Sequence, residues 1–236
     1  MRIEEFFSDL GACPCEGLAG KVENAWGMVN AKNAFLEIKE SKIRGSLHES
    51  VVVRGKVEIG KGVEIDPFAV IEGPVKIGKN TKIRSCAWIR PYSWIGEDCV
   101  VGHGCEVKNA LIFNEAKIGT NCFVGDSVLG KGARLGSGTI LGNRRFDQAV
   151  IHVKFNGGKI STETDKFGAV VGEYSRIGAN VATNPGTLIG KHTWVSGGIT
   201  LSGFIPGNKF VSVKAETELA DKPEIKLKKE DMKGLR

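Results

Sequence analysis

Branched aliphatic residues stand at every sixth position from Val53 to Val107, through Ile59, Ile65, Ile71, Ile77, Ile83, Ile89, Ile95 and Val101, and Phe113 extends the series. Two residues before each stands a second, mostly smaller group, from Val51, Val57 and Val63 to Ser93, Cys99, Cys105 and Leu111. Side chains two apart on an extended backbone share a face, so each six-residue unit offers two inward groups on one short strand. Gly, Asn and Asp fill the positions between, as in "IGKG", "IGKN" and "IGED". Such residues suit corners that need positive φ or side-chain turn bonds. A six-residue period cannot keep a 3.6-residue helix face in phase, which excludes an amphipathic helix. Three units closing a triangle predict a parallel β-helix with coils about 4.8 Å apart.

Repeats of this length are the signature of the left-handed β-helix, an exception to the right-handed rule for parallel crossovers. The rhythm stumbles in "FNEAKIGTNCFVGDSVLGKG", where the steps Phe113, Ile118, Val124 and Leu129 read five, six and five. It then runs through Leu135 and Leu141, and again from Val171 to Leu201. Residues 143–168 do not fit, and "VIHVKFNGGKIS" predicts a hairpin or loop thrown out from one corner. The expected organisation is an N-terminal helical cap or linker over 1–44, the coil over 45–212 and a charged tail over 213–236. Helical spacing at Val22, Trp26, Val29 and Leu36 suggests a helix covering one open end of the coil. The tail is expected to form a short helix or an extension.

Charge narrows the picture. The net charge of +6 lies wholly in residues 45–212, with twenty basic and fourteen acidic side chains. That favours an anionic small ligand, while the dispersed cations and scarce aromatics argue against nucleic acid. No apolar run approaches a membrane span, and the acidic start lacks a secretory signal, so a cytoplasmic location is expected. The six cysteines do not make a zinc pattern, nor do the four histidines stand at ligand spacing, so no metal is expected. Cys99, Cys105 and Cys122 fall on inward positions and read as reduced core thiols.

Several blocks then carry a likeness: "AWGMVNAKNAFL", "IRPYSWIG", "VGHGCEVKNALI", "VGDSVLGKGARLGSGTILGNRRFD" and "ATNPGTLIGKHTWVSGGI". The chain resembles the hexapeptide-repeat acyltransferases, and more narrowly the C-terminal domain of bifunctional sugar-1-phosphate nucleotidylyltransferase/glucosamine-1-phosphate N-acetyltransferases, over roughly residues 22 to 212. "GHGCEVKN" and "LGNRRFD" are the more specific pieces. The stretch before residue 22 is too short for a nucleotidylyltransferase domain, so nucleotidyl transfer is not expected of this chain alone. The resemblance implies a homotrimer that joins acetyl-CoA and an amino-sugar phosphate in a cleft between coils. It places sugar-phosphate contacts at Arg90, Lys108 and Asn143; Arg144 and Arg145 follow in the same loop, where their charge could add to an anion site. Small residues Ser137, Ala179 and Gly197 align where a pantetheine arm would pass.

The family's catalytic His and Tyr align with Thr120 and Phe123, and a family Asn aligns with Arg134. Threonine lacks basicity and phenylalanine has no titratable group. Of the four histidines, His103 and His152 are the candidates for a relocated base, ahead of His48 and His192. Two functions stand open. One is acetyl-CoA:amino-sugar-1-phosphate N-acetyl transfer; the other is a degenerate trimer that binds a sugar phosphate or nucleotide sugar, or scaffolds a separate nucleotidylyltransferase.

Overall fold

Three parallel sheets of nine, nine and eight strands run the length of the molecule. They are seen in a computed structural model that describes residues 3–8, 10–15, 18, 22–35, 38–155, 157–214 and 216–221. The first sheet runs from Lys42–Ile43 to Phe204–Ile205, the second from Ser46–Leu47 to Phe210–Val211, and the third from Val52–Arg54 to Thr200–Leu201. Successive strands belong to successive sheets, so the chain winds a three-faced, left-handed parallel β-helix. In the early coils the register is eighteen residues, pairing Val57 with Val75, Ile65 with Ile83 and Val53 with Ile71.

The inward series forms one continuous core, with Ile71, Ile83, Ile89 and Ile95 fully buried. Cys99, Cys105 and Cys122 sit inside as small core groups, and burial pushes the Cys99 thiol up to about 12. Corners carry the positive φ that the composition required. Gly62 (φ +75) suits such a corner, and a Cβ there would lie 2.4 Å from Asn80 Oδ1 on the next coil, so that amide would have to shift. Ion pairs cross between coils at the same eighteen-residue offset, as in Arg54–Glu72, Lys82–Glu64 and Arg84–Asp66 at 3.2–3.3 Å. Being exposed, each contributes at most about 1 kcal/mol.

At Leu111 the structure corrects the sequence reading. Trp94 pairs with Leu111 and Ile95 with Ile112, so seventeen residues complete this coil, and again the next, from Ile112 to Leu129. Ile112 and Ala110 therefore point inward, while Leu111 and Phe113 point outward. The five-residue steps fall from Val107 to Ile112 and from Val124 to Leu129. Both shortenings occur at the corner between the third and first faces, where Asn109 and Asp126 (φ 47 each) turn the chain with one residue fewer than Pro91–Tyr92. Phe113 is still fully buried, but outside the coil, stacked on Phe7 with ring centroids 4.9 Å apart.

That outer layer also corrects the expected end cap. The first face carries Trp94, Leu111, Phe113, Val128, Val170, Leu188 and Phe204 outward, an apolar stripe that must be covered. Phe6, Phe7, Leu18, Trp26, Met28 and Val29 cover it, so the N-terminal segment lies along the flank. Among the described residues its α-helix is Gly27–Ala31, continued by a 3-10 turn over Lys32–Phe35. Main-chain bonds from Glu173 N to Phe6 O (2.9 Å) and from Lys191 N to Glu5 O (3.1 Å) dock the segment.

The insertion contains the expected hairpin, His152–Phe155 against Gly158–Ser161. It does not project freely: Ile151 and Val153 are buried in the same outer layer. Residues 216–221 are exposed and irregular. The expected helix or extension beyond them lies outside the described residues.

Candidate functional site

The third face has two borders, and the candidate residues divide between them. At the corner with the second face, Ser85, His103, Thr120 and Ser137 stand one per coil, followed by Ala179 and Gly197. Main-chain bonds hold the stack: Gly104 N to Ser85 O (3.1 Å), then Asn121 N to His103 O, Gly138 N to Thr120 O, Asn180 N to Ser137 O and Gly198 N to Ala179 O, each 2.8 Å. His103 and Thr120 are exposed on adjacent coils. His103 Nδ1 lies 3.0 Å from Ser85 Oγ, and the Thr120 hydroxyl donates to Ser137 Oγ at 3.0 Å. Beyond Ser137 the edge becomes a ledge of exposed small residues, Ala179 and Gly197.

The opposite border, at the corner with the first face, carries Arg90, Lys108, Gly125 and then Gly142–Asn143. Arg90 lies over the Trp88 ring at 4.6 Å and donates from Nη1 to Glu106 Oε1 at 2.7 Å. Its Nε is buried and has no hydrogen-bond partner among the described residues. Lys108 makes no ion pair among the described residues. Asn143 donates from Nδ2 to Asp126 Oδ2 at 2.5 Å. Phe123 lies between the borders, half-buried, its ring against Gly125: a Cβ on Gly125 would fall 2.6 Å from that ring and 2.8 Å from Asn143 Nδ2.

Arg144, Arg145 and His152 gather in a cleft of about 570 Å³ in the insertion, beside Gly142 and Asn184. Both arginines are already engaged. Arg145 grips Asp147 through two bonds, holding that carboxyl down at about 2, and Arg144 donates to Gln148 at 2.8 Å and approaches Asp165 at 3.8 Å. His152 is exposed, with Nδ1 3.1 Å from Val150 O, and the width of the third face separates it from Thr120. Arg134 points out from the second face between Lys117 and Arg176, away from both borders. His48 bonds Ser50, and His192 stacks on Tyr174 at 5.5 Å, so neither reaches the site.

Three residues escaped the sequence reading. Behind Asn143, Asp126 is 3% exposed and also accepts from Asn109 Nδ2 at 2.6 Å. Asn109 Oδ1 accepts in turn from Lys32 Nζ at 2.6 Å, and Lys32 is fully buried. Desolvation lowers the Lys32 ammonium to about 7, against the attraction of Asp126 and Cys15. The only signal was a lysine inside the otherwise apolar and amide run "AWGMVNAKNAFL".

This lysine has a thermodynamic consequence. Its folded pKa lies below the unfolded one, so the unfolded chain holds more protons between about 7 and 10.5. The cost of burying the charge is complete below pH 7 and fades as pH rises. Unfolding free energy of the wild type relative to Lys32→Met should therefore rise across that window, by at most about 1.4 kcal/mol per pH unit. Chemical denaturation of both proteins from pH 6.5 to 10 checks the slope, and parallel curves would reject it.

Comparison with known proteins agrees with this architecture. Residues 71–162 match the family model described as the GMPPB C-terminal domain. The chain is 31% identical over 200 residues to the Bifunctional protein GlmU of Methanococcus aeolicus, covering 85% of this chain and 48% of that protein. It thus spans about half the length of such relatives. Against the Uncharacterized acetyltransferase YaiX of Escherichia coli it is 36% identical over 182 residues, 77% of this chain and 76% of the relative. The chain belongs to the hexapeptide-repeat acyltransferases. Among solved structures, the polysialic acid O-acetyltransferase OatWY is 18% identical, with 83% of this chain and 96% of that chain covered at a TM-score of 0.39. No described helix is long and apolar enough to cross a membrane.

Proposed function

We propose that the chain is an N-acetyltransferase that moves the acetyl group of acetyl-CoA to the amine of an amino-sugar phosphate, at grooves between copies of the coil. The observation that carries this reading is the division of the third face. Ser137, Ala179 and Gly197 make a ledge that admits an extended pantetheine arm and leads towards His103. Across the face, Lys108 supplies an unpaired ammonium, Arg90 a guanidinium fork and Asn143 an amide, a set suited to a phosphate and a sugar hydroxyl.

Within one protomer the two borders are separated by five extended residues, roughly 16 Å, which is wider than a monosaccharide. A neighbouring protomer whose sugar-binding border faces the ledge closes that gap, which favours a homotrimer. Trp88 and Ile140, 39% and 44% exposed on the face between the borders, are the apolar surface such a neighbour would cover.

In the reaction the amine nitrogen attacks the thioester carbonyl. A C–N bond forms, the C–S bond breaks, and the sulfur leaves as the thiol of coenzyme A. The proton shed by nitrogen passes to His103 Nε2, in the tautomer whose Nδ1–H donates to Ser85 Oγ, and from there to the departing sulfur. Thiol release from acetyl-CoA with glucosamine 1-phosphate or galactosamine 1-phosphate tests the reading. His103→Ala should lower kcat/KM by roughly 10²–10⁴, whereas His152→Ala should leave it within a few-fold. An unchanged His103→Ala rate would remove His103 from the mechanism.

One observation favours a binding-only reading. The Thr120 hydroxyl is committed to Ser137, and Phe123 has no proton to move. No thiol release, with sugar-phosphate binding that is lost in Arg90→Ala, would leave a coil that holds its ligand or scaffolds a separate nucleotidylyltransferase.

A further inference from the structure

We propose that Lys32, on the N-terminal segment, is a positioning residue for the sugar-binding border: through Asn109 it holds in place the Asp126 carboxylate, which turns the Asn143 amide oxygen to the ligand. The proposal rests on the reading of Asn143 as a substrate contact.

The argument is one of hydrogen-bond polarity. An ionised carboxylate only accepts. Lys32 Nζ donates to Val29 O at 2.7 Å, to Asn33 Oδ1 at 3.1 Å and to Asn109 Oδ1 at 2.6 Å. These three acceptors engage Nζ within the protein, so Lys32 offers nothing to a ligand. Because Asp126 only accepts, Asn109 turns its nitrogen to Asp126 Oδ1 at 2.6 Å and its oxygen to Lys32. Asp126 then takes the Asn143 nitrogen on its other oxygen at 2.5 Å. The acceptor-only carboxylate leaves each amide one orientation, and Lys32 anchors the Asn109 oxygen on the far side.

Asn143 Oδ1 is thereby the end released from the relay, and among the described residues no side chain or amide donates to it. The border consequently presents an acceptor at Asn143, which selects a ligand with a hydroxyl or amine at that point. Burial makes the relay stiff. Lys32 is fully buried and Asp126 is 3% exposed, so water cannot substitute cheaply for a lost partner. The relay also ties the site to the N-terminal layer: Val29 and Asn33 belong to that segment, whereas Asn109 and Asp126 are the two shortened corners of the coil.

The test combines isothermal titration of glucosamine 1-phosphate with the ¹H–¹⁵N signals of the Asn143 side-chain amide, assigned by their loss in Asn143→Ala. Lys32→Met should weaken binding about tenfold, shift the Asn143 amide and speed its hydrogen exchange. In an Asn143→Ala background, Lys32→Met should add nothing, since its effect passes through that side chain. A folded Lys32→Met protein with wild-type affinity and an unmoved Asn143 amide would overturn the proposal. So would an equal loss in both backgrounds. Should Lys32→Met fail to fold, Asp126→Asn breaks the relay at its centre, and the same shift of the Asn143 amide is expected. If the wild type binds neither glucosamine 1-phosphate nor galactosamine 1-phosphate, the proposed function fails, and the Asn143 amide still decides whether Lys32 holds it.

Discussion

Truncating Ile112 to alanine is expected to destabilise the coil itself by about 2–5 kcal/mol, the usual range for a large aliphatic side chain removed from a close-packed interior. Ile112 is 1% exposed and belongs to the continuous inner core, stacked in register between Ile95 and Leu129. Its neighbour Phe113 is as deeply buried but in the outer layer, against Phe7. Phe113→Ala should cost a similar amount, about 3–5 kcal/mol, yet the loss should fall on the docking of the N-terminal segment. Repeat architectures pass instability mainly to adjacent coils, so two local readouts separate the cases. In Ile112→Ala, amide protection should fall in Ser93–Ile95 and Val128–Leu129. In Phe113→Ala those strands should keep their protection while Cys13 and Cys15, buried in the outer layer, become reactive to a thiol reagent. The reverse pattern would mean that the coil is threaded one residue out of register.

That pair also marks where the sequence ceased to be legible. A six-residue period and its small partners were enough for the fold, because each inward position is chosen by volume and the corners by φ. The same period could not distinguish Ile112 from Phe113, since both are large, apolar and buried. What separates them is the apolar first face, which gives Phe113 a second place to be buried once the N-terminal segment lies on it. The segment itself read as an end cap for the same reason: helical spacing at Trp26 and Val29 announces a partner without saying which surface it is. The motifs singled out Arg90, Lys108 and Asn143 as candidates, but their position on one border, across the third face from His103, could not be read from them. Lys32 was invisible as a relay member because its partners lie 77 and 94 residues away in Asn109 and Asp126. A buried lysine in a short helical segment has no local pattern to betray it.

Gly168→Val is expected to damage fold and site together. Gly168 closes the insertion, where the chain re-enters the coil: its N–H donates to Asp126 O at 2.9 Å and its carbonyl accepts from Gly186 N at 2.9 Å. Even a Cβ there would stand 2.2 Å from Ser127 Oγ and 2.4 Å from Gly125 O. The carbonyl is main chain and cannot swing aside. Nor is the hydroxyl free, because Ser127 Oγ donates to Gly125 O at 2.7 Å and accepts from Ala169 N at 3.0 Å. A valine must therefore push the Gly125–Asp126–Ser127 corner outward, at a cost of about 3 kcal/mol, the upper part of the range for overpacking. Because Asp126 holds Asn143, the same displacement should weaken sugar-phosphate binding at least tenfold. Gly158→Ala is the control, since a Cβ there meets only Phe155 O, at 3.5 Å, and the change should stay within about 0.5 kcal/mol. Thermal unfolding and titration of glucosamine 1-phosphate on both variants decide the matter. A Gly168→Val protein with wild-type stability would show that the insertion does not return to the coil through this corner.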